Sequence, residues 1–325
     1  MTSSPTERNN TIFLRFVAIV LIINSHMDIL YPIKSLATGG AIGNSLFFML
    51  SSYGLYLSYG GKGTSFLQYF KRRITKLYPN VWAELIILFI PFSIFIDQVL
   101  LDSKFFFSYL SYFVFPYHHW FLACLLIYYI IIFPLLKRYK TLLVILLIFL
   151  SLSGYTYIYI EYTDLSKWTI EATSVRYFSY FLLFLSGIIF ARYNDRIKYK
   201  GYRDWLLLLF FIGLLYFQKF LLSKQIYLHL QFIQQILLFP IVFFFLKVSN
   251  TPIITDHIMG SHFLSRIINN ISEITLQLYM VHGYFIIIVA TFKIIFPINV
   301  LLVMILSLLS AIFMRSVANR IITAK

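Results

Sequence analysis

Ten apolar stretches, each near the length that crosses a bilayer, divide the chain at about 13–31, 39–59, 81–101, 120–136, 141–160, 176–191, 205–222, 226–246, 274–296 and 298–318. A water-soluble domain has no core large enough to hide so much apolar surface: 60% of the 325 residues are hydrophobic and only 12% are charged. The alternating ten-residue strands of a membrane β-barrel are absent. The expectation is an all-α, polytopic integral membrane protein of about ten transmembrane helices. Residues 1–325 are expected to form one membrane domain with no soluble appendage.

Charge gives that domain a direction. The formal net charge is +15, yet the cations fall in short loops beside apolar segments, which marks topology rather than affinity for nucleic acid. If the first residues are cytoplasmic, 20 of the 27 Lys and Arg residues lie on the inner side, so both termini are expected there. Membrane lipids are then a partner by necessity. The single cysteine, Cys124, lies in an apolar segment and has no partner for a disulfide. The first apolar segment lacks a small-residue cleavage site and reads as a retained helix. Two longer loops invite structure of their own: the aromatic segment 102–119 as a re-entrant or interfacial helix, and 248–270 as a short surface helix.

Polar residues inside apolar runs carry the functional signal. RFVAIVLIINSH (15–26) sets ten residues between an arginine and a histidine. Eleven positions are about three helical turns, so Arg15 and His26 face the same way, about 16 Å apart along the axis. Arg15 alone is explained equally by snorkelling to the inner interface. An ionisable group inside a membrane segment is costly and by default functional, and a histidine suits a general base acting on a hydroxyl. In KRRITKLYP (71–79), Lys71, Arg72, Arg73 and Lys76 form a dense cationic cluster. It serves either as an anchor on anionic lipid or as a clamp for a multiply phosphorylated cofactor, with Glu84 near enough to orient one of the cations.

Further polar groups are candidates for substrate contact. HHWFL (118–122) places His118, His119 and Trp120 at the outer edge of the fourth span. Trp120 also fits an aromatic-belt anchor, and no metal site is expected, because adjacent histidines rarely converge on one ion and no acidic or cysteine ligand flanks them. His282, in LYMVHGYF, is a second imidazole near mid-span, suited to a helix–helix hydrogen bond or to the site itself. Gln231, Gln234 and Gln235 form an i, i+3, i+4 stripe in the eighth span that must face protein or water. Amides pair well with sugar hydroxyls, so the stripe is a candidate lining for an acceptor cavity; helix packing explains it equally. Gly39 and Gly43 make a GxxxG that reads as a loop and close packing. No Walker, dinucleotide, CxxC or HExxH motif occurs.

In order, these stretches resemble acyltransferase family 3 of membrane-bound acyltransferases. RFVAIVLIINSH matches the family's Arg–ten residues–His signature. SLFFMLSSYGLYLS is similar to its second-helix phenylalanine pair followed by Ser-Gly-Phe, with Ser52 where Gly is usual. KRRITKLYPNVW resembles its basic loop ending in Tyr-Pro, with Lys76 in place of an arginine, which keeps the charge and loses the bidentate fork. HHWFLACLLIYYIIIFPLL, FLSGIIFAR and ISEITLQLYMVHGYF are similar to its later helices, with Thr275-Leu276 in place of a common Ser-Tyr.

The resemblance implies transfer of an acyl group, usually acetyl, from cytosolic acyl-CoA to a hydroxyl of a surface polysaccharide or its lipid-linked precursor, in the plasma (inner) membrane. His26 is then the expected catalytic residue, Arg15, Arg72, Arg73 and Lys76 the contacts to acetyl-CoA, and Trp120, His119, Gln231, Gln234, Gln235 and His282 the candidate acceptor contacts. Some members carry an appended esterase-like domain; this chain is expected to act alone or with a separate partner. A transporter or polymerase of lipid-linked glycans, or a scaffold subunit of an export complex, would share the aromatic-rich spans but need no acyl donor.

Overall fold

The computed structural model describes residues 5–95, 111–116, 119–162 and 174–323, and within these 5–9, 95, 322 and 323 by backbone alone. His118 and most of the aromatic segment 102–119 lie outside them. Every regular element among the described residues is helical, as a chain in lipid must be when each backbone N–H and C=O is to be paired within its own segment. The order is α1 (Pro5–Ser25), α2 (Gly40–Tyr59), α3 (Phe66–Glu84), α4 (Ile90–Phe95), α5 (Trp120–Lys137), α6 (Thr141–Tyr162), α7 (Val175–Arg192), α8 (Tyr202–Ser223), α9 (Ile233–Val248), α10 (His262–Glu273), α11 (Thr275–Thr291) and α12 (Ile298–Thr323).

Seven helices among the described residues are long and apolar enough to span a membrane, or up to eight if α10 and α11 count as one bent span. The expectation of ten is larger. In α1 the apolar part is only Asn10–Ser25, and α2 is diluted by glycine, serine and asparagine. Several spans keep wide apolar faces outward: Phe149 of α6 is 64% exposed and Phe313 of α12 is 58%. Patches of that kind are untenable in water and ordinary against lipid.

The chain forms two units. The first comprises Met1–Ala18, Ala41–Gly63 and Ile132–Ser272. Here α2 and α7 approach closely because Gly187 has no side chain: a Cβ there would stand 2.1 Å from the Met49 carbonyl oxygen. Ser52 seals the contact by donating its hydroxyl to the Phe184 carbonyl, and Phe48 stacks on Tyr180 with ring centres 5.1 Å apart. Helices α8 and α9 pack together around an ion pair between Lys247 and Asp204, both buried. The Lys200 amide also donates to Asp204 Oδ2, at 2.6 Å. Lys247 is therefore a packing charge as well as one of the cations counted for topology. The expected surface helix appears as α10, after a π-helical turn at Ile253–Ile258, and exposes Phe263, Leu264 and Ile267 beside Arg266.

The second unit comprises Ile19–Gly40, Thr64–Ile131 and Glu273–Lys325, and it holds the polar cluster described below. Ser65 caps α3 by accepting from the Gln68 amide. Helix α3 then runs through Pro79, so the basic stretch expected as a loop is helical. After Glu84 one π-helical turn, Leu85–Phe89, leads into α4. Such turns add a residue to the helix and recur at functional positions. Helix α3 packs on α11 and α12, and a buried amide pair ties it to α11, with Gln277 Nε2 donating to Asn80 Oδ1 at 2.7 Å. Asn299, near the start of α12, donates to the Leu30 carbonyl at 2.7 Å and fixes the chain that follows α1.

Candidate functional site

Helix α1 stops at Ser25, one residue short of His26. The expected continuous span 13–31 therefore gives way to a turn in which the His26 amide bonds the Ile23 carbonyl. Asn24 holds the turn open. Its side-chain amide donates to the carbonyls of Leu36 and Thr38, each at 2.9 Å, and its oxygen accepts from the Tyr31 hydroxyl at 2.6 Å. Gly39, at φ +99°, lies in the left-handed region where a side chain would be strained, and lets this loop enter α2. The result is an exposed imidazole with a braced backbone.

The partner of His26 is His282, 256 positions away in α11. His282 Nε2 lies 3.3 Å from His26 Nδ1, and the ring centres are 4.9 Å apart. The other nitrogen of His282, Nδ1, lies 3.0 Å from the Leu278 carbonyl oxygen. A carbonyl only accepts, so His282 Nδ1 carries the proton. In the neutral ring its Nε2 is then an acceptor, and the proton between the rings belongs to His26 Nδ1. This leaves His26 Nε2 with a lone pair. The chain carbonyl–imidazole–imidazole thus orients an exposed base much as a third group orients the base of a hydrolase triad. His282 thus ties α11 to the turn that follows α1.

A second group of polar residues lies in the same unit. Glu84 is fully buried, and its carboxylate accepts from Tyr112 at 2.6 Å and from the hydroxyl of Tyr284. His119 Nε2 lies 3.3 Å from Glu84 Oε1. A carboxylate without water needs such donors, because leaving it unpaired costs several kcal/mol, ~3–5. Glu84 therefore does not orient a cation of the basic cluster, as the sequence suggested; its donors are the hydroxyls of Tyr112 and Tyr284. Tyr279 links the two groups, its ring centre 6.2 Å from that of His119 and 6.0 Å from that of His282. Trp120, the first residue of α5, is half-buried beside His119.

The cationic candidates are distributed. Arg72 and Lys76 are exposed one turn apart on α3, and Arg73 is half-buried between them. Arg15 belongs to the first unit, half-buried in α1, where a Cβ at Gly54 would lie 3.9 Å from its guanidinium. Gln231, Gln234 and Gln235 also belong to the first unit, and all three are buried. A cavity of about 210 Å³ beside them is apolar, lined by Leu214, Phe217, Leu221 and their neighbours, and the three glutamines do not line it. Gln234 Nε2 and Gln235 Oε1 have no hydrogen-bond partner among the described residues. No three His, Cys, Asp or Glu side chains among the described residues are grouped to hold a metal ion.

Sequence reasoning singled out both histidines of the pair but not their contact, and it missed Tyr112, Tyr279 and Tyr284. One signal for Glu84 was available, since it is an acid on the threshold of an apolar run, ELIILFIPF, where an ionisable group is rarely idle.

Comparison with known proteins bears on what an exposed, oriented imidazole in such a fold does. No curated protein and no solved structure matches the chain. A family model does: the acyltransferase domain of acyltransferase family 3 matches residues 10–315, a span that includes every residue of the polar cluster. Acyl transfer, rather than glycan transport or scaffolding, is the activity such a domain carries. The chain belongs to acyltransferase family 3.

Proposed function

We propose that this membrane acyltransferase moves an acyl group, acetyl in the simplest case, from acyl-CoA to a hydroxyl of a surface polysaccharide or its lipid-linked precursor, with His26 as the reacting base. The observation that carries the reading is the chain of contacts from His26 Nδ1 to His282 Nε2 and from His282 Nδ1 to the Leu278 carbonyl, which assigns the lone pair to His26 Nε2. In the direct route Nε2 takes the proton of the acceptor hydroxyl as its oxygen attacks the thioester carbonyl. The carbon–sulfur bond then breaks, and the proton passes from His26 to the departing thiolate. In the alternative route Nε2 itself attacks the thioester carbonyl, the carbon–sulfur bond breaks, and the imidazolium gives up its Nδ1 proton to the departing thiolate. The acceptor oxygen then attacks the acyl carbon, the carbon–Nε2 bond breaks, and the hydroxyl proton returns to His26.

Arg15, Arg72, Arg73 and Lys76 are the proposed contacts to the phosphates of acetyl-CoA at a cytoplasmic mouth. His119, Trp120 and His282 are proposed for the acceptor, with Gln231, Gln234 and Gln235 as further acceptor contacts. The unpartnered amide atoms of Gln234 and Gln235 support that last assignment. We further propose ten spans in the plasma membrane with both termini cytoplasmic: the seven apolar helices, α11, and α1 and α2. Two serines of α2, Ser45 and Ser52, face protein rather than lipid, since both are fully buried.

Purified wild-type protein in lipid is expected to transfer label from acetyl-CoA to isolated polysaccharide. His26→Ala should reach the membrane in normal amount and transfer nothing. Full acylation of the glycan by that variant would overturn the proposal, and label retained on wild-type protein but not on His26→Ala would select the acyl-histidine route.

A further inference from the structure

The first unit contains a cavity of about 770 Å³ that the acyl-transfer reading does not use. It lies where three helices end: α2 at Tyr59, α5 at Lys137 and α7 at Arg192. Five cations line it, Lys62, Lys137, Arg138, Arg192 and Arg196, against one carboxylate, Asp195. Cations are expected near helix C-termini, where each macrodipole presents about half a negative charge. Three such ends supply roughly −1.5 charges, against a lining that carries four net positive charges. A surplus of about two to three positive charges is left facing an open cavity.

Two of these cations are held in place rather than left to wander in solvent. Arg192 Nη1 donates to the Tyr56 hydroxyl at 3.1 Å, and its guanidinium lies 4.1 Å from the centre of the Tyr139 ring. Arg196 lies 5.3 Å from the centre of the Tyr193 ring. The loop that carries Arg196 is pinned in turn, because Tyr53 donates to Asn194 at 2.9 Å. A guanidinium held beside tyrosine rings is fixed in place at low entropic cost, and any N–H groups it does not use on the protein can meet phosphoryl oxygens. A mere topology signal needs no cations gathered around one cavity and no cation fixed by neighbouring tyrosines.

We infer that this cavity is a binding site for a phosphorylated ligand carrying two or more negative charges, either a soluble phosphoryl compound or the headgroup of an anionic lipid. The site is independent of the acyl-transfer reading and stands or falls separately from it.

The test uses the full chain in zwitterionic nanodiscs, with pyrophosphate as the soluble probe in calorimetry. A parallel preparation in discs containing phosphatidate is assayed by native mass spectrometry for retained lipid. The variant is Lys137→Gln/Arg138→Gln, chosen because neither side chain has a hydrogen bond or ion pair among the described residues, so the fold should survive. Lys198→Gln/Lys200→Gln removes the same charge from the same unit outside the cavity.

Pyrophosphate binding by the wild type, weakened at least tenfold in the cavity variant and less than twofold in the control, supports a soluble ligand. Retention of phosphatidate with the same pattern, without pyrophosphate binding, supports a lipid headgroup. Failure of the wild type to bind either probe overturns the inference. So does equal weakening by the two variants, or unchanged binding by the cavity variant.

Discussion

The bond between His26 and His282 makes a demand on each ring that a substitution can separate. His282 must accept a hydrogen bond at Nε2 and stay buried, while His26 must present a lone pair to whatever enters. His282→Leu removes the acceptor, frees the His26 ring to turn and change tautomer, and is expected to lower kcat by about 10²-fold, within the range that an oriented base contributes. His282→Gln keeps an oxygen that can accept from His26 Nδ1 and should recover part of that loss. Steady-state transfer rates for the pair check this; a Leu variant as active as Gln would show that the acceptor is irrelevant. Sequence alone singled out each histidine because an imidazole in an apolar run has to be justified. It could not join them, since no periodicity links residues 256 positions apart. Glu84 illustrates the same gap: its charge was visible, but its tyrosine donors come from two other segments of the chain.

Among the helices, the α8–α9 contact depends on opposite charges placed in apolar surroundings. Asp204 is 1% exposed and Lys247 7%. Removing one partner leaves a buried ion alone, so Asp204→Ala is expected to cost ~3–5 kcal/mol, whereas Asp204→Leu with Lys247→Met should recover most of it. Thermal unfolding in detergent, followed by a fluorescent thiol probe at the buried Cys124, measures both. The α2–α7 contact is steric instead. Gly187→Leu would drive a side chain into the Met49 carbonyl and is expected to sharply lower the yield of folded protein on size exclusion. The places of the helices were largely readable, because apolar length acts locally: each of the ten apolar stretches contains helix among the described residues, and α10 begins inside the segment 248–270 where a short helix was expected. The stop at Ser25 was not. The residues that follow it, SHMDILYP, remain apolar enough to prolong the pattern, and what ends the helix is Asn24 bonding to carbonyls twelve and fourteen residues on.

For the molecule as a whole, ten spans and a cytoplasmic N-terminus require a cytoplasmic C-terminus, because an even number of crossings returns the chain to its starting side. Reporter fusions after residue 325 and before residue 1 should both be active in the cytoplasm only; opposite locations would mean an odd count and remove either α1, α2 or α11 from the membrane. The seven strongly apolar helices could be read by counting, since lipid rewards composition directly. Helices such as α2 face protein and carry serine and glycine for packing, so their composition understates their depth.

The π-helical turn at Leu85–Phe89 has a consequence for the tolerance of this chain to change in length. Phe89 lies against Tyr112 and Phe92 against Tyr284, each pair with ring centres 5.1 Å apart, and those two tyrosines supply the hydroxyls on Glu84. The turn holds one residue more than an ordinary helical turn, and its wider winding absorbs that residue. Loss of a single residue from it would restore an ordinary helix and leave Phe92 on nearly its present side of the axis. An added residue has no such slack: it would turn everything beyond it by about 100°, carrying Phe92 away from Tyr284 while Glu84 kept its place. The chain there tolerates shortening by one residue and not lengthening.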